Sequence, residues 1–251
     1  MNPERTISRR RDAVALPFIV VLLAALGSSA ARGVGYTDEF RLRDCSWSSK
    51  GSTNPYFNLR PGYRLVLEGE DDGESARVEI TVLRQTRRIA FEIDGMPLTV
   101  RARVVEERES VDGELEEVSR NFFARCRHTS DVFYFGEEVD LYEDGQIVGS
   151  EGAWIAGEDG AMPGLIMPGT FLLGARYFQE IAPEAEALDR GRHVEMGIEI
   201  PTPAGTFTDC VGVVDSTPLD PEEMDAKVYC PGIGLVMDED LVLIEHGNAT
   251  P

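Results

Sequence analysis

The chain has 251 residues, 45 of them Asp or Glu against 24 Lys or Arg, for a formal charge of −21 at pH 7. A field of that sign repels phosphate backbones and anionic lipid surfaces, which excludes nucleic acid and acidic membranes as partners. It favours solubility and basic or cationic ligands.

Residues 1–31 read as a signal peptide. Arg9, Arg10 and Arg11 form a basic segment, residues 13–26 (AVALPFIVVLLAAL) are apolar without a break, and GSSAA offers cleavage after Ala30 or Ala31. This is the secretory pattern, and the run is shorter than the about twenty residues a spanning helix needs. The expectation is a secreted or periplasmic protein, with a single β-rich domain over 32–251 and no stable membrane insertion after signal removal. Loss of residues 1–31 removes Arg5, Arg9, Arg10 and Arg11 against Glu4 and Asp12, moving the charge from −21 to −23.

Trp47, Tyr56 and Phe57 precede the first clear strand and are placed to cover one end of a sheet. Beyond them, apolar residues recur with period two. Val78, Ile80 and Val82 alternate with Arg77, Glu79 and Thr81; Ile89, Phe91 and Ile93 alternate with Arg88, Ala90 and Glu92. That is the pattern of antiparallel strands with one dry face. Asp-Gly occurs at 72–73, 94–95, 112–113, 144–145 and 159–160, a hairpin signal because a type I′ turn needs positive φ at both central residues.

DLYEDGQIVGSE (140–151) spaces Asp140, Asp144, Gly145 and Glu151 as a calcium loop would. A two-residue turn at Asp144-Gly145 instead pairs Glu143 with Gln146, Tyr142 with Ile147 and Leu141 with Val148, and sends Asp140 up a strand. The strand-like VDLY and QIVG on either side favour the hairpin. In FYF, alternation puts Phe133 and Phe135 on one face and Tyr134 on the other, so Phe133, Phe135 and Trp154 are the candidate ligand-binding side chains of an enclosed cavity.

Residues 156–180 are rich in Gly, Pro and apolar side chains and read as a long loop or flap. PEAEALDR (183–190) and PEEMDAK (221–227) start with proline and acids and read as two-turn helices. In HVEMGIEI, Val194, Met196, Ile198 and Ile200 form an apolar face opposite His193, Glu195 and Glu199. Two short helices cannot cover a sheet of about a dozen strands between Tyr63 and Glu245. The strands must cover one another. The fold class expected is all-β: an antiparallel meander closing into a barrel or half-barrel, with one or two short helices.

Four cysteines in an oxidising compartment imply two disulfides. Cys210 with Cys230 is the favoured pair, because both flank strand-like segments joined by STPLDPEEMD; Cys45 with Cys126 is then a long-range staple. No C-x-x-C, G-x-S-x-G, H-E-x-x-H or phosphate-binding glycine loop is present. No catalytic residue, metal site or cofactor is therefore nominated. Cys126 and His128 share a strand face, with His193 or His246 as conceivable further ligands, but no spacing supports a metal site.

NPYFNLRPGYRLVLEGE (54–70), VDGELEEV (111–118), FYFGEEVDLYEDGQIVGSEGAW (133–154), PGLIMPG (163–169) and PAGTFTDC (203–210) together resemble a family of uncharacterised exported bacterial proteins. The resemblance implies export and transfers no activity to particular residues. PAGTFTDC and PGIGLV (231–236) are also similar to exported half-barrel proteins related to lipoprotein carriers, which hold acyl chains on a concave sheet; this chain lacks their long covering helix.

The reading from sequence is an exported protein that binds a small apolar or amphipathic ligand. The alternatives are an enzyme with an acidic or metal-assisted site in the barrel mouth, and an envelope-associated structural protein without a ligand. A dry cavity favours the first, inward-facing acids or histidines the second, and a packed interior the third.

Overall fold

The computed structural model describes residues 35–51, 53–71 and 73–248; the expected signal peptide at 1–31 lies outside them. In chain order the strands are β1 (Trp47–Ser48), β2 (Tyr63–Asp71), β3 (Glu74–Ile93), β4 (Met96–Val111), β5 (Glu114–Cys126) and β6 (Val132–Glu143). Shorter pieces follow: β7 (Gln146–Gly149), β8 (Trp154–Ile155), β9 (Met162–Met167), β10 (Arg176–Phe178) and β11 (Glu180–Ile181). The last group is β12 (Arg190–Thr202), β13 (Gly205–Ser216), β14 (Met224–Cys230), β15 (Gly234–Asp238) and β16 (Leu241–Asn248).

All sixteen belong to one antiparallel sheet. Its path runs from β10 through β12, β13, β14, β15 and β16 to β2, then β3, β4, β5, β6, β9 and β11. The two ends of this path, β10 and β11, are separated in the chain by Gln179 alone. The sheet thus curls back on itself as a half-barrel, without the continuous ladder of a closed barrel.

The Asp-Gly dipeptides at 94–95, 112–113 and 144–145 sit where hairpins turn; Asp72 lies outside the described residues, and 159–160 lies between β8 and β9, which both pair with β6. Asp94 and Gly95 have φ of 53° and 70°, Asp112 and Gly113 50° and 85°, and Asp144 and Gly145 52° and 73°. Both central residues are left-handed, as a type I′ turn demands. Across the last of these turns Glu143 pairs with Gln146 and Tyr142 with Ile147, but a bulge then sets Leu141 opposite Gly149 rather than Val148. Asp140 accepts an ion pair from Arg120 at 2.9 Å on the neighbouring strand. DLYEDGQIVGSE is a hairpin.

Three local expectations are corrected. Residues 156–180 carry β9 and β10, so the Gly- and Pro-rich segment is part of the sheet. Of the two helices, the first is one 3-10 turn at Pro183–Ala185, and the second is absent because Met224–Cys230 is β14. Pairing on both sides, with β13 and β15, outweighs the weak local helix signal there. In β12, register shifts follow His193, Met196 and Ile198. Each shift changes which residues face inward, so His193 is buried while Val194 and Met196 are exposed.

The long hairpin β3–β4 has a dry face on each side. Val82 lies opposite Val105, whereas Ile89 and Phe91 lie opposite Val100 and Leu98 on the other face. Between them Leu83, Arg84 and Gln85 bulge against Val104. Buried Arg103 ties this bulge down, donating to the Leu83, Arg84 and Gln85 carbonyls at 3.2, 2.8 and 3.1 Å and to Ser49 O at 2.9 and 2.7 Å. The outer face is covered by the N-terminal segment. Trp47 meets Phe133 and Phe135 edge-on at 5.5 and 5.2 Å, and Phe40 meets Phe133 at 5.5 Å.

Two disulfides join Cys45 to Cys126 and Cys210 to Cys230, as expected, and fit an oxidising compartment. They close loops of 81 and 20 residues, for about 4.5 and 3 kcal/mol in the chain-entropy model. Among the described residues no helix is long and apolar enough to cross a membrane.

Candidate functional site

The inner face of the half-barrel encloses a half-open cavity of about 230 Å³. One part of its wall is apolar: Leu65 from β2, Ile80 and Val82 from β3, Val105 from β4, Phe123 from β5 and Leu235 from β15. Tyr56 and Phe57 cover it from the segment before β2, with Phe57 edge-on to Phe123 at 5.0 Å. Asn54 anchors that segment. Its side-chain amide donates to the Ser130, Met167 and Pro168 carbonyls at 3.1, 3.2 and 3.0 Å, while its oxygen accepts from Tyr56 N at 2.9 Å.

Polarity rises along each strand away from this region. On β4 the inward positions run Val105, Glu107, Glu109; on β5 they run Phe123, Asn121, Ser119, Glu117, with Glu107 opposite Ser119 and Glu109 opposite Glu117. Across the cavity, β14 presents Lys227 and Tyr229. Lys227 pairs with Asp238 of β15 at 3.2 Å and Asp215 of β13 at 3.6 Å. Asp215 also accepts from Gln179 Nε2 at 2.9 Å. Glu180 and Asp189 complete the polar wall.

Gly164 permits the close approach that holds Gln179 and Glu180 in place. A Cβ there would lie 2.2 Å from Gln179 O and 2.8 Å from Glu180 N, both backbone atoms. Only glycine lets β9 lie against this segment so closely.

Burial shifts the titration of the wall's groups and of Glu137, which pairs across the ladder with the cavity-lining Asn121. Burial, with Glu109 beside it, raises the Glu107 carboxyl to about 8. Burial raises Glu137, next to Asn121 in the ladder, to about 7. Burial and the neighbouring Glu137 push Glu180 well above the usual carboxylate range. Burial also raises Asp215, to about 6, although Lys227 and Gln179 pull against it. For Lys227 burial opposes the charge, but Asp215 and Asp238 outweigh it and hold the ammonium well above its ordinary value.

The side chains nominated from sequence lie elsewhere. Phe133 and Phe135 are buried in the outer core against Trp47, and Trp154 packs edge-on to Tyr134 at 5.3 Å. None of the three lines the cavity; Tyr134, on the opposite face from Phe133 and Phe135, does. Alternation separated the two faces, but nothing local told which enclosed space. The histidines are not brought together either. His128 and His246 are exposed. His193 is buried, stacked on Phe171 at 3.7 Å, donating from Nδ1 to Leu172 O at 3.1 Å and accepting the Tyr177 hydroxyl on Nε2 at 2.9 Å. Among the described residues no three His, Cys, Asp or Glu side chains converge as metal ligands would.

Sequence reasoning missed Glu107, Glu180, Asp215, Lys227 and Asp238. In VVEERES the apolar-polar alternation breaks down, so an inward glutamate is invisible there. Lys227 carried one signal, as one of only two lysines in the chain.

Comparison of the chain with protein-family models, curated proteins and solved structures finds no match in any of the three.

Proposed function

We propose that this is an exported binding protein that holds a small amphipathic molecule in the half-barrel, apolar body against Leu65, Val82, Val105 and Phe123, polar head toward the polar wall at Glu107 and Glu180. The observation carrying this reading is the division of one cavity into an apolar wall and a polar wall. Binding sites for small molecules take this form: largely apolar surface for affinity, a few converging polar groups for orientation. A volume of about 230 Å³ sets the scale at a single ring or a short chain. Export is supported by the two disulfides and by the signal-like residues 1–31. The open interior speaks for a ligand over a purely structural role.

Native mass spectrometry of the protein purified gently from its own host tests this. The expected result is a bound small molecule, lost in the cavity-filling variant Ile80→Trp with its circular dichroism unchanged. A mass lowered only by signal removal and two disulfides would overturn it.

A second reading, acid–base catalysis at the polar wall, is favoured by the inward carboxyls of Glu107 and Glu137, which titrate near neutrality. It requires that the bound molecule change mass on incubation with wild-type protein and not with Glu107→Gln.

A further inference from the structure

We infer that the polar head of the bound molecule is an organic cation, an ammonium or guanidinium group. This deepens the proposed function and rests on it.

The first ground is charge balance. Five carboxylates line the cavity, those of Glu107, Glu180, Asp189, Asp215 and Asp238, against one base, Lys227. Lys227 is already engaged by Asp215 and Asp238. Glu107, Glu180 and Asp189 have no ion-pair partner among the described residues. Carboxyls gathered in a partly enclosed space are costly to ionise together, and an entering positive charge relieves that cost.

The second ground is independent of charge. Tyr229 is 7% exposed and lines the same cavity, on the same strand face as Lys227. Its hydroxyl has no hydrogen-bond partner among the described residues, whereas that of Tyr134 donates to Asn121 Oδ1. A hydroxyl that opens onto the cavity without a protein partner can take one from a bound molecule. Ionised carboxylates only accept hydrogen bonds, and a hydroxyl accepts as well as donates; ammonium and guanidinium groups only donate. A carboxylate or phosphate head would find one cation at this wall, Lys227, already engaged by Asp215 and Asp238, among five carboxyls. A bare metal ion would leave the apolar wall empty.

The test uses three probes of one shape: phenethylammonium, 2-phenylethanol and 3-phenylpropionate, titrated by calorimetry into the full mature protein. Phenethylammonium is expected to bind at least tenfold more tightly than the alcohol, with the propionate not binding. The isosteric variants Glu107→Gln and Glu180→Gln should each weaken the amine at least tenfold and leave the alcohol's affinity as it was. Tyr229→Phe should weaken the amine severalfold. Their melting curves check that the fold is kept. If the alcohol or the propionate binds as well as the amine, the cationic head is wrong and the cavity reading stands. If no probe binds but the host-purified protein carries a molecule with a neutral or anionic head, the cationic head again falls alone; a molecule with a cationic head supports it. If no probe binds and no molecule co-purifies, both fall.

Discussion

Arg103 and Glu107 sit four residues apart on one strand and are handled in opposite ways. Arg103 is buried with no carboxylate ion-paired to it among the described residues, and five hydrogen bonds to carbonyls replace the water it gave up. Burial lowers its affinity for its proton, yet a guanidinium stays charged throughout the ordinary pH range. Glu107 has no such set of donors, and its carboxyl keeps a proton instead. Replacing Arg103 by methionine keeps most of the packing volume and strands the bulge carbonyls. Unsatisfied buried groups cost about 1–3 kcal/mol each, so Arg103→Met should lower the stability by about 3 kcal/mol. Urea unfolding should show this as an earlier midpoint at unchanged slope; an unchanged midpoint would mean that the bulge holds itself.

Hairpins are where local sequence speaks most clearly. Asp-Gly at 94–95, 112–113 and 144–145 forms turns with positive φ at both residues, because aspartate tolerates and glycine freely adopts the left-handed region. Gly145→Ala forces a Cβ into φ 73°, and should cost about 1 kcal/mol. The same element answers the calcium question: millimolar calcium should leave the melting temperature of the wild type unchanged, since Asp140 is spent on Arg120 and lies up the strand from the turn. A rise of several degrees would restore the metal site. Local signals fared worse where pairing partners decided. PEEMDAK has good helix-start chemistry, yet most of it is drawn into β14, with Lys227 lying between Asp215 and Asp238. In β12 the bulges turn Val194 and Met196 outward while Ile198 and Ile200 stay half-buried against the core, and a register shift leaves no mark in a pattern of apolar residues.

At the scale of the molecule, the acids of the cavity wall and Glu137 beside them make stability depend on pH. Glu107, Glu137 and Asp215 titrate at about 8, 7 and 6 when folded, above the 4.5, 4.5 and 3.8 of free side chains. A folded state that binds more protons than the unfolded one is stabilised fully below the unfolded values and loses that stability as pH rises through the folded ones. His193 acts in reverse. Burial lowers it from 6.5 to about 4, so its contribution is complete above 6.5 and lost only on acidification. Lys227, held charged above its usual 10.5, does not change through this range. The melting temperature should therefore fall between pH 6.5 and 8.5, and Glu107→Gln should reduce the fall. A flat or rising profile would show that the acids are solvated and the wall is not as enclosed as described. A cationic ligand should offset the loss by favouring the ionised carboxyls.

The sequence by itself determined the class of fold, several of the turns and the number of disulfides, because alternation, Asp-Gly chemistry and cysteine count are local signals. Four cysteines allow three pairings; the flanking strands favoured Cys210 with Cys230, and the structure fixed that pair and Cys45 with Cys126. What only the tertiary structure decided is which face encloses space. Alternation sorts residues into two sets without saying which set looks inward, and β3–β4 buries one set on each side of its bulge. Phe133 and Phe135 fell to the outer core and Tyr134 to the cavity by that choice. The acidic wall is less legible still. Glu107, Glu180, Asp189, Asp215, Lys227 and Asp238 come from five separate strands and a loop, and only the curl of the sheet brings them to one place.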